Sequence, residues 1–317
     1  MIFTFGREAS GVHGFENFHK FEQIYEPSGI QQLPDGRFVV VEDEASHPLD
    51  IFTLEADGRV SETPIARGSL FSWRSMNRAM NALEDLEAIT LDGQGRVYAI
   101  TSHSRKADGK RDDHREQLVR FSLNAEDITN LKVLRGLRKN ITQQHEALKD
   151  AAKIHDVKED EGFNIEGLGF DAKRKRLLIG LRGPLEGDKA IIVVLENPQA
   201  VFDLDEEPRI SDQLITLDLD GGGIRSLCYD PYLQGYLVIS RKLDKSFKLW
   251  IWNGNTNDSP RRIKVPGIKD LRQAEGVTPV SINGEAEGIL IVSDEGDIRK
   301  KKPGRYVFLR YEQLEIQ

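Results

Sequence analysis

The chain has 317 residues, of which 38% are hydrophobic and 30% charged, and its net charge is −8. That balance belongs to a globular chain with many exposed loops, and an acidic chain is a poor candidate for a nucleic-acid binder. No apolar run reaches the roughly 18–20 residues of a membrane span, so the expected partners include neither nucleic acid nor membrane.

The N-terminus has no long apolar stretch, since Arg7 and Glu8 interrupt it early; the expectation is a cytoplasmic protein without a secretory signal. The single cysteine, Cys228, excludes an internal disulfide and a cysteine-based zinc site. It lies in the apolar string Leu227-Cys228-Tyr229, which predicts a small buried hydrophobe.

In chain order, Phe18 to Tyr25 reads as a first strand, and a phrase then recurs five times. It runs Ser28-Gly29-Ile30, Glu87-Ala88-Ile89, Glu166-Gly167-Leu168, Arg225-Ser226-Leu227 and Glu275-Gly276-Val277. Each copy is polar, then small, then aliphatic. Each is followed by a turn and an apolar strand: Phe38 to Val41, Val97 to Ile100, Leu177 to Gly180, Tyr236 to Ile239 and Ile289 to Val292. The copies are 59, 79, 59 and 50 residues apart. A period of about 40–50 residues with several strands per unit marks a β-propeller.

The expected fold is therefore all-β, a single propeller domain over 1–317 with five blades. Six is the alternative if Ala66 to Leu83, or the Ile2-Phe3-Thr4-Phe5 segment, adds a unit. The fifth repeat lacks an outer strand, and Phe18 to Tyr25 is placed to supply it and close the ring, which removes sticky sheet edges. Two insertions break the period. Ser104 to Glu116 is a charged loop, and Asn140 to Val157 places Ala147, Leu148, Ala151 and Ile154 at helix spacing, predicting a helical insertion near 141–157. A short helix is also expected around Ser69 to Leu83. Trp250 and Trp252, alternating about Ile251, read as blade packing.

Aligning the repeats stacks two polar sets. Ser28, Glu87, Glu166, Arg225 and Glu275 open the inner strands. Asp43, Ser102, Arg182, Arg241 and Asp294 close the second strands, with Glu42, Glu44, His103, Lys242 and Glu295 beside them. Both sets belong at one end of the central channel. Converging carboxylates repel and raise one another's pKa unless cations compensate. Arg182, Arg225 and Arg241 are candidates to do so, or to hold an anionic ligand together with Ser28 and Ser102. A divalent cation held by Glu87, Glu166, Glu275, Asp294 and Asp43 would serve equally. Oxygen donors favour Ca²⁺, with Mg²⁺ or Mn²⁺ as alternatives. Glu166, Glu87 and His103 are the candidate acid–base residues. The competing role for the glutamates is structural, accepting hydrogen bonds from neighbouring blades.

Other motifs fall short. His145-Glu146 begins an HExxH-like string, but Lys149 stands where the second histidine belongs. No GxSxG elbow, P-loop or complete EF-hand loop is present. The basic run Arg299-Lys300-Lys301-Lys302, followed by Pro303-Gly304, reads as a solvated hairpin tip.

Three strings carry a family resemblance: Asn164-Ile165-Glu166-Gly167-Leu168, Leu178-Ile179-Gly180-Leu181-Arg182-Gly183-Pro184 and Gly223-Ile224-Arg225-Ser226-Leu227. They resemble the IEGL, LLLGLRGP and GIRDL series of an uncharacterised bacterial propeller family of unknown function. Asp85-Leu86-Glu87-Ala88-Ile89, Ala274-Glu275-Gly276-Val277 and Ser293-Asp294-Glu295 look like phrases of the wider phytase-like, esterase-like propeller group. The resemblance spans about residues 26–310. It implies a propeller and, through the wider group, calcium-dependent hydrolysis of a phosphoester or ester. The chain departs from the narrower pattern at Ser226, where Asp is usual, and at Ser240-Arg241-Lys242. A second expectation, of a different class, is a scaffold that binds a protein partner through loops 104–116 and 140–160.

Overall fold

The computed structural model describes residues 18–43, 48–63, 80, 82–124, 127–155, 162–268 and 271–317. The expected Ile2-Phe3-Thr4-Phe5 contribution, and most of the helix expected over Ser69 to Leu83, lie outside those residues.

The chain opens with β1 (His19–Lys20) and then forms a first antiparallel sheet from β2 (Pro27–Gln32), β3 (Phe38–Glu42), β4 (Leu49–Leu54) and β5 (Val60–Thr63). The second blade is β6 (Leu86–Leu91), β7 (Val97–Thr101), β8 (Gln117–Asn124) and β9 (Asp127–Arg135). Helices α1 (Leu137–Gln144) and α2 (Glu146–Ala151) follow it. The third is β10 (Asn164–Asp171), β11 (Arg176–Gly183), β12 (Lys189–Leu195) and, after α3 (Pro198–Leu204), β13 (Ile215–Asp218). The fourth is β14 (Gly223–Asp230), β15 (Gly235–Arg241), β16 (Phe247–Trp252) and β17 (Arg261–Lys264). The fifth has β18 (Ala274–Ile282), β19 (Glu285–Ser293) and β20 (Arg305–Arg310), and β1 is its outer strand.

The innermost strands touch in a closed cycle, β2 to β6 to β10 to β14 to β18 and back to β2. This is a five-bladed propeller. Its closure is non-covalent: His19 pairs with Tyr306 and Lys20 with Arg305. A second staple is not visible in the repeat pattern. The C-terminal β21 (Glu315–Ile316) pairs with β17 and gives blade four a fifth strand.

The recurring phrase has one structural meaning in all five blades. Pairing between the first two strands slips by one residue at Ser28, Glu87, Glu166, Arg225 and Glu275. Each polar residue is a β-bulge, the device that re-aims a side chain out of the ladder. The small residue that follows lies against the next blade. A Cβ on Gly29 would stand 3.1 Å from Ala88 Cα, and one on Gly167 2.7 Å from Ile224 Cγ2. The aliphatic residue then enters the core between blades. Between blades one and two that core joins Val39 and Val41 to Val97 and Ala99; between four and five it joins Leu237 and Ile239 to Ile289 and Ile291.

The helical insertion exists but is two short helices broken at His145, whose backbone is extended (φ −123°, ψ 105°). Leu137, Ile141 and Leu148 bury completely beside blades two and three. Cys228 is buried, and burial pushes its thiol up to about 12. Trp250 and Trp252 are blade packing, their indole N–H groups donating to Ser240 Oγ and Asn255 O, each at 2.9 Å.

The closing segment holds through apolar anchors as well as pairing. Phe21 is 2% exposed and packs against Phe52 and Tyr306 with ring centroids 5.5 and 4.8 Å away. Phe21→Ala should therefore cost about 3–5 kcal/mol, the usual range for a buried phenylalanine. Deleting residues 1–26 should unfold the ring edge altogether. Chemical denaturation measures both, and an unchanged midpoint in the deletion would show that closure does not stabilise the ring.

Candidate functional site

Where the inner strands begin and the second strands end, the channel opens into a cavity of about 620 Å³. That is the size range of small-molecule sites. Below it the channel narrows to about 10 Å³ between Ser28, Glu87, Glu166 and Ser226 above and Ile30, Leu168, Leu227 and Val277 deeper in. The mouth therefore narrows onto a polar floor. Its lining holds seven carboxylates (Asp43, Glu84, Asp85, Glu87, Glu166, Glu275 and Asp294) against five guanidinium groups (Arg105, Arg115, Arg182, Arg225 and Arg299).

Most of these charges are paired. Arg225, projecting from the blade-four bulge, bridges two neighbours. Its Nη1 lies 2.5 Å from Glu166 of blade three and its Nη2 contacts Glu275 of blade five. Arg182 Nη1 donates to Glu166 Oε1 at 2.9 Å, and Asn164 Nδ2 donates to the same oxygen at 2.8 Å. Arg225, Glu166 and Glu275 are all at least nine-tenths buried. The structural role foreseen for the glutamates is thus what Glu166 and Glu275 perform, through a guanidinium rather than backbone amides. Asp85, held at φ +62°, pairs with Arg115 and accepts from Ser104 Oγ at 3.3 Å.

Glu87 differs from the other floor residues. Among the described residues it makes no ion pair and no hydrogen bond. Burial, reinforced by the charges of Glu166, Asp85 and Asp43, raises its pKa well above the usual carboxylate value, with Arg225 the opposing influence. Asp43 is an exposed residue whose carboxyl is nonetheless pushed up to about 8 by desolvation and by Asp85, to which it is hydrogen-bonded.

The predicted residues divide accordingly. Ser28, Asp43, Glu87, Glu166, Arg182, Arg225, Glu275 and Asp294 meet at the mouth. Ser102, His103 and Arg241 do not line it. Ser102 is fully buried and donates to Ser104 Oγ at 2.9 Å. His103 is fully buried, its Nδ1 2.8 Å from Thr101 O, and burial pushes its pKa down to about 4. It is placed to shape the chain at φ +55°, not to donate protons into the cavity. The Arg241 guanidinium stacks 5.8 Å from the Phe247 ring. Glu42 also turns away, accepting from Tyr25 N at 2.8 Å.

Sequence reading missed Asp85 and Asn164, which sit two residues before Glu87 and Glu166; the bulges at Glu87 and Glu166 break the period-two pattern there, so no spacing rule marked them. It also missed Arg115, Arg105, His155 and Arg299, which reach the mouth from insertions and carry no periodic signal. The 104–116 loop walls the cup: Ser104, Arg105, Ala107 and Arg115 all line it. Arg105 Nε donates to Ala152 O at 3.1 Å and its Nη1 to Gly109 O at 2.9 Å, tying that loop to the helical insertion.

Two outcomes follow from these charges. Arg225→Met should destabilise by about 3–5 kcal/mol, because it strands the buried Glu275 and takes one of two cations from Glu166; a loss near zero in denaturation would mean that solvent already reaches them. Glu42 is pushed up to about 8 by burial and the charge of Asp50. A raised acid stabilises fully below its unfolded pKa, near 4.5, and that contribution is lost as pH rises through about 8. Melting temperature should thus fall across this window in the parent protein and fall less in Glu42→Gln. Parallel pH profiles would contradict the assignment.

No curated protein matches the sequence. Similar solved structures include one described as a glucose dehydrogenase, 13% identical with a TM-score of 0.45, covering 90% of this chain and 96% of that one. Another is a chain of a mitotic checkpoint complex, 8% identical with a TM-score of 0.40, covering 98% and 97%. A third is the Myceliophteria thermophila Cps50 (Swd1) β-propeller domain, 10% identical with a TM-score of 0.35, covering 89% and 70%. Likeness at this level carries nothing about function. The sequence itself matches a family pattern over residues 72–308, from the approach to blade two through most of blade five, and the chain belongs to that family, DUF3616, a family of proteins of unknown function.

Proposed function

We propose that the channel mouth binds a small polar molecule and that Glu87 is the group this ligand meets at the floor. The observation that carries this reading is the unpartnered carboxyl of Glu87 at the base of a 620 Å³ cavity in which neighbouring acids are compensated by arginines. An enclosed carboxyl without a partner costs free energy, and a ligand that satisfies it gains what the empty cup lacks.

Arg182 and Arg225 are already committed to Glu166 and Glu275, so they hold the floor together more than they offer a grip for an anion. A divalent cation, Ca²⁺ ahead of Mg²⁺ or Mn²⁺, is proposed as one way to satisfy the floor, through Glu87 and Asp43 with water completing the shell. No three His, Cys, Asp or Glu side chains among the described residues gather as a ready metal cage, so such an ion would rest on few protein ligands. The phytase-like resemblance adds hydrolysis to the proposal. In that case Glu87, when ionised, would take the proton of a water attacking a phosphoester or ester; its raised pKa suits a base working near neutrality.

The test is a thermal-shift screen of polar metabolites and of Ca²⁺, Mg²⁺ and Mn²⁺ after chelation, on the parent protein and Glu87→Gln. A ligand of this site raises the parent's melting temperature as mass action requires and loses that effect in the variant. Equal shifts in both proteins would remove Glu87 from the site. If p-nitrophenyl phosphate or acetate is turned over, the variant should lose about 10²–10⁴-fold in rate. Undiminished turnover would rule Glu87 out as the base.

A further inference from the structure

The charges that remain unpaired at the mouth are sorted by height. At the floor the uncompensated groups are acids: Glu87, and Asp43 hydrogen-bonded to Asp85. At the lip they are cations. Arg299 is exposed, lines the cavity, and its side chain has no hydrogen bond or ion pair among the described residues. Arg105 bonds only the carbonyl oxygens of Ala152 and Gly109, and no described carboxylate lies within ion-pair distance of it.

Arg299 is also firmly placed. It rides on the short 3₁₀ turn Ile298–Lys300, capped by Asp297, whose carboxylate accepts from Lys300 N at 3.1 Å. The Asp297 and Lys302 backbones bond reciprocally at 2.7 and 3.0 Å, closing the hairpin. At the preceding Gly296 a Cβ would fall 1.7 Å from Tyr25 O. The basic tip therefore stands close against the N-terminal segment that closes the ring, and its guanidinium overhangs the cup.

A positive group at the floor favours ionisation of Glu87 and Asp43 and is then held by them, whereas an anion there opposes that ionisation. An anionic group at the lip meets the guanidinium groups of Arg299 and Arg105. Opposed patches of this kind orient a ligand and reject those of the wrong polarity.

We propose that the mouth selects a small zwitterion, with its ammonium seated at the floor on Glu87 and Asp43 and its phosphate or carboxylate held at the lip by Arg299 and Arg105. The proposal rests on the reading of the mouth as a ligand site and narrows it to one ligand class and one orientation.

The test uses O-phosphoethanolamine and 4-aminobutyrate as zwitterions, ethanolamine and inorganic phosphate as separated halves, and Ca²⁺ alone. Each is titrated by calorimetry into the full-length protein, Glu87→Gln and Arg299→Gln. The zwitterions should bind the parent more tightly than either half. Glu87→Gln should weaken them at least about thirtyfold, the effect of leaving an enclosed charge unpaired. Arg299→Gln, at an exposed position, should weaken them about fivefold and abolish any phosphate response. Both substitutions leave existing pairs intact, and melting temperatures no lower than the parent's will confirm folding.

The orientation is overturned if inorganic phosphate binds Glu87→Gln more tightly than the parent, or if its binding is indifferent to Arg299→Gln. The ligand class is overturned if neither zwitterion binds better than its halves. If Ca²⁺ alone binds with dependence on Glu87 and no zwitterion competes, the zwitterion proposal falls and the mouth remains a ligand site. If no probe or screened metabolite engages the mouth, both readings fall.

Discussion

The ring of inner-strand bulges is the constraint on which the rest of this structure depends. At Ser28, Glu87, Glu166, Arg225 and Glu275 the ladder slips by one residue. Each slip turns a polar side chain out of the sheet and into the channel. Without it, strict alternation would send the same residues toward a sheet face buried between blades, where a charge is costly. The small residue beside each bulge exists because inner strands converge near the axis, where a Cβ already meets the next blade.

Gathering five such side chains in one place creates an electrostatic problem that the fold solves unevenly. Arg225 reaches across to both neighbouring blades, so blades three, four and five share one buried network with Glu166 and Glu275. Blades one and two have no equivalent cation at the floor. Arg115 answers Asp85 from an insertion loop, and Glu87 is left over. Structure and candidate function are thus two halves of one arrangement. The compensated side locks the ring, and the uncompensated side faces the cup.

The insertions complete the site. A bare propeller end would be an open funnel. Here the 104–116 loop, anchored through Arg105 to Ala152 and through Arg138 Nη1 to Glu116 Oε1 at 2.7 Å, raises a wall over blade two. The 297–302 hairpin of blade five brings Arg299 to the same lip. Both are polar, irregular segments, the usual place for ligand contacts on a rigid scaffold.

The sequence by itself determined the propeller repeat, with five blades ahead of six, the strand positions, the strand that closes the ring and eight of the residues at the mouth. It could do so because each is periodic: a small-residue contact, an aliphatic core position and a turn recur in every unit. Three expectations about the site, Ser102, His103 and Arg241, came from the same alignment and are not at the cavity. Periodicity gives the end of a strand but not the direction of a side chain once pairing stops. The C-terminal staple on blade four, the break at His145 and the arrival of Arg115, His155 and Arg299 at the mouth were decided by tertiary structure alone. None has a counterpart in another repeat. Which glutamate stays unpaired was decided the same way, because Glu87, Glu166 and Glu275 open equivalent strands and only the reach of one arginine across the channel tells them apart.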